Sequence, residues 1–217
     1  MKIVRSVDLS HPIHSEMPVY PGDPTVSISP ATTINQDGFN VLHVQMGSQS
    51  GTHIDAPLHF IDGGATIDSY PVETFVGPAF IAQAVGVGGN GVIGADTIPD
   101  PGQPGALLMI RTDWSQYWGS ERYFSHPYLS PEAAQRIVDC GYKAIGIDAL
   151  SVDQTDGSTG DFTAHMILLG AGIPICENLT GVAQVDWPTP WLSLVPIRLE
   201  GADGAPIRAF ALEIDHS

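Results

Sequence analysis

Apolar stretches in this chain are short and heavily punctuated, and that pattern limits what it can fold into. Six β-prone runs stand out, at 40–46, 79–87, 106–111, 143–147, 191–199 and 207–214, most of them flanked by glycine or proline. With 24 glycines and 18 prolines among 217 residues, long uninterrupted helices are ruled out and turns must be many. One helix is clearly written. Ser130 is an N-cap, Pro131 suits the first helical position, Glu132 opens the first turn, and Ala133, Ala134, Ile137 and Val138 form an apolar stripe before Gly141. A strand follows at once, so 130–148 reads as a helix-to-strand unit ending in the carboxylate of Asp148. Strands outnumber helices, and the length fits one core. The expected fold is a single mixed α/β domain over residues 1–217, strand-rich and not doubly wound. The turn-rich segment 10–38 reads as a lid or an interface arm.

The chemistry concentrates in Gln49-Ser50-Gly51-Thr52-His53-Ile54-Asp55-Ala56-Pro57-Leu58-His59. Side chains two apart on an extended backbone share a face, so His53 and Asp55 should point the same way. Ala56 precedes a proline and is held extended, while Gly51 permits a turn or a close approach that a Cβ would block. A neutral imidazole beside a carboxylate is a common start for a divalent-metal site. An isolated His-x-Asp more often caps a strand end. The nearby His59 and the rigid punctuation favour a site here, but two ligands do not hold a metal.

Further ligands can come from residues 161–178. His165 starts an apolar run that reads as a short helix ending at Gly170 or Gly172, and 173–176 reads as a buried strand delivering Glu177. Taken alone, His165 on a surface helix and Glu177 at a solvated strand end would be the better reading.

Together the two segments resemble the cyclase family that includes bacterial kynurenine formamidase, whose signature reads HxGTHxDxPxH. Gly51, Thr52, His53, Asp55, Pro57 and His59 match it. His165 and Glu177 match the family's later histidine and glutamate, separated by eleven residues within a stretch reading Leu-Leu-Gly-Ala-Gly-Ile-Pro-Ile. Asp8-Leu-Ser-His11-Pro-Ile-His14 with Tyr20-Pro-Gly-Asp23-Pro, and Gly146-Ile-Asp148-Ala-Leu-Ser151-Val-Asp153, extend the likeness from residue 8 to about 180. The resemblance implies the β/α/β fold of those enzymes. It also implies a first metal on the residues at 49, 53, 55 and 177, and a second on Asp55, His165 and Glu177. His59 would be the catalytic proton donor and acceptor, and Tyr20 would line the substrate pocket where relatives commonly carry tryptophan. Gln49 departs from the pattern, since relatives have histidine there. Its amide oxygen is a weaker, harder donor toward zinc, which shifts the first position toward manganese or magnesium. Zinc or manganese, one ion or two, are all compatible with this set.

The implied activity is hydrolysis of an amide, formamide, lactam or lactone by metal-activated water. Two alternatives stand beside it: a metal-dependent cyclase of a polyketide-type pathway, and a degraded member that only binds a small molecule. No Gly-x-Ser-x-Gly elbow is present, and the glycine-rich 86–91 lacks the spacing of a nucleotide site and reads as a turn. A net charge of −16 with eight lysines and arginines argues against nucleic acid and anionic membrane. Cys140 and Cys176 lie in apolar contexts and read as buried structural thiols of a cytoplasmic protein. No signal core or membrane span is evident. The expected partner is a small, aromatic substrate, and the resemblance implies further copies of the chain, as a dimer or tetramer. Trp114, Tyr117 and Trp118 are equally suited to core packing and to a pocket wall.

Overall fold

The computed structural model describes residues 2–155 and 162–215; Asp161, at the head of the second candidate segment, lies outside them. In chain order the first strands are β1 Lys2–Asp8, β2 Ser27–Thr32, β3 Val41–Gln45, β4 His53–Asp55, β5 Val76–Gln83, β6 Val92–Ile93 and β7 Leu107–Arg111. They are followed by β8 Tyr128–Leu129, β9 Ala144–Ile147, β10 Ile175–Glu177, β11 Trp191–Ser193, β12 Gly204–Pro206 and β13 Phe210–Asp215. The α-helices are α1 Ile34–Asp37, α2 Pro131–Asp139 and α3 Thr163–Gly170. Nine strands form one sheet in the order β1-β13-β11-β5-β7-β9-β10-β4-β12. Its centre, β5 through β10, is parallel and both wings are antiparallel.

The central strands carry apolar side chains on both faces, as a covered parallel sheet requires. Leu108 and Ile110 of β7 point into a core with Ala133, Ala134 and Ile137 of α2 and Ala164, Leu168 and Leu169 of α3. Leu107 and Met109 point the other way, toward Ile54, Phe75, Cys176 and Leu192. Each fully buried aliphatic side chain of this kind contributes roughly 1.5–3 kcal/mol relative to exposure. Helix α2 starts as its sequence indicates: the Ser130 side chain accepts a hydrogen bond from the Ala133 amide at 3.1 Å, and Pro131 takes the first helical position. Gly141, at φ +70°, leads the chain away from it.

The six expected runs contain β3, β5, β7, β9, β11 and β13, with shifted ends. The run at 191–199 is strand only over Trp191–Ser193, and beyond it Pro196 makes only an isolated bridge to Ile207. Cys176 is buried as expected, but Cys140 is partly exposed at the end of α2. Trp114 packs in the core, while Trp118 stacks on His11 with ring centroids 4.0 Å apart. Segment 10–38 divides in two. Residues 18–23 cover a cavity, and β2 pairs with β3 in a two-stranded hairpin whose Val41, Leu42 and Val44 are exposed. Among the described residues no helix is long and apolar enough to cross a membrane.

Candidate metal centre and active site

Strands β4 and β10 lie side by side and antiparallel, with His53 opposite Glu177 and Asp55 opposite Ile175. This register puts His53, Asp55 and Glu177 on one face, while Ile54 between them points into the opposite core. The three functional side chains are buried and offer ligand atoms within 4.8 Å of one another. Helix α3 brings His165 down onto the same carboxylates. His53 Nε2 is 3.3 Å from Asp55 Oδ1 and 3.7 Å from Glu177 Oε2. His165 Nε2 is 3.6 Å from Asp55 Oδ2 and 3.4 Å from Glu177 Oε1. The two imidazoles therefore take different oxygens of the same two carboxylates.

Each imidazole is oriented from behind. His53 Nδ1 lies 2.8 Å from the Gly51 carbonyl, so Nδ1 carries the hydrogen and Nε2 presents a lone pair to the carboxylates when neutral. His165 Nδ1 is 2.7 Å from Asp153 Oδ2, and Asp153 also accepts the Ala164 and His165 amides at the start of α3. Glu177 Oε1 accepts from the Val152 amide at 2.9 Å. Asn178, at φ +58°, holds the corner: its side chain donates to the Gly51 carbonyl at 3.0 Å and accepts from the Tyr123 hydroxyl at 2.8 Å. Gly51 sits at φ +70°, where a Cβ would also lie 3.0 Å from Met17, as its place in the sequence suggested.

The electrostatics are those of a cation site. Both carboxylate oxygens of Asp55 are buried without a hydrogen-bond partner, a costly arrangement unless a cation shares the site. Burial works against a charge on His53, but Asp55 and then Glu177 outweigh it and push its pKa up to about 9. His165 is likewise opposed by burial and carried well above the ordinary imidazole value by Asp153, Asp55 and Glu177. Burial would raise Asp55, yet His53 and His165 hold it well below the usual carboxylate range. Clustered imidazoles and carboxylates of this kind, with Nε2 lone pairs converging, are a donor set for zinc or manganese.

The centre forms the floor of a cavity of about 230 Å³. Tyr20, Phe60 and Phe162 supply aromatic walls, with Leu150 and Pro18 beside them, and His59, Gln49 and Asp23 bring polar groups to the same space. His59 stands apart from the carboxylate pair. Its ring is 6.2 Å from that of His165, and its Nδ1 faces Asp203 Oδ2 at 3.2 Å. All seven residues singled out in the sequence, Tyr20, Gln49, His53, Asp55, His59, His165 and Glu177, line or border this one cavity. Sequence reasoning missed Asp203, Asp153 as an orienting residue, Phe60 and Phe162. Asp153 lay inside a matched motif and could have been suspected. Asp203 carried no signal beyond a turn-like Asp-Gly.

Residues 7–154 match the model of the putative cyclase family. The kynurenine formamidase of Paracidovorax citrulli is 33% identical over 213 residues, covering 93% of this chain and 94% of its own. That of Bacillus cytotoxicus is also 33% identical, over 96% of this chain and 98% of its own. Among solved structures, an isatin hydrolase bound to the product analogue thioisatinate superposes with a TM-score of 0.86 at 22% identity, over 97% of this chain and 92% of that one. A potential metal-dependent hydrolase with cyclase activity gives 0.79 at 29% identity, over 97% and 98%. The chain belongs to the putative cyclase family. By family and site together it is a hydrolytic enzyme that depends on a divalent metal ion.

Proposed function

We propose that this protein hydrolyses the amide bond of a small aromatic formamide or lactam. The observation that carries the reading is the buried Asp55–Glu177 pair, flanked by two imidazoles and holding two partnerless carboxylate oxygens at the floor of an aromatic cavity. His53, Asp55, Glu177 and His165 would hold the metal. Gln49 would add its Oε1, which is buried without a hydrogen-bond partner. The position nearest Gln49 is rich in oxygen donors, so manganese is accepted there alongside zinc, and the shared carboxylates leave room for one ion or two. Bound there, a divalent ion supplies Lewis-acid polarisation of a carbonyl and a lowered pKa for water.

The chain's own residues do the rest. Tyr20, Phe60 and Phe162 take a planar ring and exclude water from the reacting bond. His59, set back from the carboxylates and open to the cavity, takes the proton of the attacking water and returns it to the leaving nitrogen. Asp23 is half-buried in the wall, its pKa raised chiefly by burial, and the lining holds no lysine or arginine among the described residues. A substrate carboxylate would be repelled there. Ring closure could use the same centre, but the 33%-identical relatives favour hydrolysis, and the convergence of His53, Asp55, Glu177 and His165 speaks against a mere binding module. A homo-oligomer is supported by the exposed apolar hairpin of β2 and β3, which is too small to be stable alone. The cytoplasm suits a bacterial-type enzyme of this family.

The direct test is turnover by zinc- or manganese-loaded protein on formanilide, isatin and an N-formyl arylamine bearing a carboxylate. Cleavage of the neutral amides ahead of the carboxylate-bearing one is expected. Metal-loaded protein that cleaves none of them would defeat the reading.

Metal entry must displace the His53 proton. Near neutral pH, binding should release about one proton or more per ion, and apparent affinity should climb about tenfold per pH unit for each proton released, until pH approaches 9. In the metal-free protein the charged His53 stabilises the fold fully below about pH 6.5, and that contribution is lost as pH rises through about 9. The thermal shift produced by metal should therefore widen over that window. Calorimetry in buffers of different ionisation heat counts the protons, and a count of zero would exclude the imidazoles as ligands.

A further inference from the structure

His59 belongs to a small polar assembly that the metal centre does not include. Asp203 Oδ2, 3.2 Å from His59 Nδ1, also accepts from Gln49 Nε2 at 2.7 Å, while Asp203 Oδ1 accepts from the Ser48 hydroxyl at 2.9 Å. Gln49 Nε2 is itself 3.3 Å from His59 Nδ1. An amide nitrogen has hydrogens to give and no lone pair, so the bond to Asp203 fixes which way the Gln49 amide is turned. An anion at 3.2 Å is a better partner for an imidazole N–H than an amide nitrogen, so His59 donates from Nδ1 and keeps Nε2 as the acceptor.

The backbone is arranged for this contact. The Asp203 carbonyl accepts from the Ala56 amide at 2.8 Å, and the next residue, Gly204, pairs with Asp55 across β12 and β4. A Cβ on Gly204 would lie 2.7 Å from Gln49 Nε2 and 2.8 Å from the Ile54 carbonyl, so only glycine lets the amide rest against this strand.

We propose that Asp203 is the positioning residue for His59, held by Ser48 and Gln49 as struts, and that it fixes the Nδ1–H tautomer so that Nε2 can accept a proton in the cavity. This gives Gln49 a task that a histidine at that position would not perform in the same way. The inference rests on the reading of His59 as the proton-transfer residue.

Asp203→Ala should lower kcat by roughly 10- to 1,000-fold with KM and metal content close to wild type, because a base in the wrong tautomer is present but idle. In the His59→Ala background the same change should cost less than about threefold, since both residues act through one imidazole. Asp203→Glu should recover part of the activity. Long-range ¹⁵N–¹H correlation spectra of the unmodified protein should show His59 protonated at Nδ1, a readout that needs no variant to fold. Metal loss in Asp203→Ala, an equal loss in both backgrounds, or a neutral wild-type His59 protonated at Nε2 instead of Nδ1 would each overturn the assignment. A wild-type protein with the expected tautomer but no amidase activity would instead overturn the reading of the site while leaving the Asp203 pairing standing.

Discussion

Replacing Asp55 or Glu177 with alanine will empty the metal centre and abolish turnover. Each carboxylate faces both imidazoles, so its removal takes one donor from every position a cation could occupy. A loss of at least about a thousandfold in metal affinity, on the order of 4 kcal/mol, is expected. The thermal midpoint reports it independently of activity. A ligand at about 100 times its Kd stabilises the folded state by roughly 2.7 kcal/mol. For a domain of this size that raises the midpoint by about 5–10 °C, and the rise should vanish in both variants. Asp55→Asn controls for packing: it keeps the shape of the side chain, yet a neutral amide cannot replace the bridging charge. Stoichiometric metal in Asp55→Ala or Glu177→Ala, measured by elemental analysis, would remove the proposed centre.

The candidate ligands His53 and Asp55 were legible because they sit on a short-range rule. His53 and Asp55 share a face through strand alternation, and the structure keeps that relation. His165 and Glu177 were placed at the edges of an apolar helix and an apolar strand by local pattern, but only the family resemblance singled them out as ligands. Helix α2 followed from Ser130, Pro131 and the apolar stripe behind them. What escaped depends on long-range pairing. Strand β4 is three residues long and exists because β10 and β12 pair on either side of it, which no local pattern announces. Strand β1 reads weakly because almost all of it is exposed, so it carries no clean apolar alternation. Asp203 lies 144 residues beyond His59 in the chain and meets it only through the pairing of β12 with β4. Gln49 reads in the sequence as a weakened ligand because an amide oxygen is a poorer zinc donor than an imidazole nitrogen, and sequence cannot show which way the amide turns. In the folded chain its nitrogen is taken by Asp203, and only its oxygen remains for a cation.

His59→Ala should leave a folded protein that keeps its metal and loses most of its activity. The imidazole makes no contact with Asp55 or Glu177 as close as those of His53 and His165, and its Nδ1 is engaged by Asp203. Its removal therefore takes a proton carrier from the cavity without taking a ligand from the centre. Burial opposes a charge on His59, but Asp203 and then Asp55 outweigh it and raise its pKa above the ordinary imidazole value. The group can thus hold the proton it removes from water until the leaving nitrogen needs it. General acid–base groups of this kind contribute about 10²- to 10⁴-fold, and kcat should fall by that factor. KM should change little, because the aromatic walls that bind the ring are untouched. The effect should also depend on the leaving group. A good leaving group needs less protonation, so an activated aryl ester should lose less activity than a formanilide in the same variant. Equal losses on both substrates would restrict His59 to the first proton transfer. Loss of metal from His59→Ala would make it a ligand and remove it as the proton carrier.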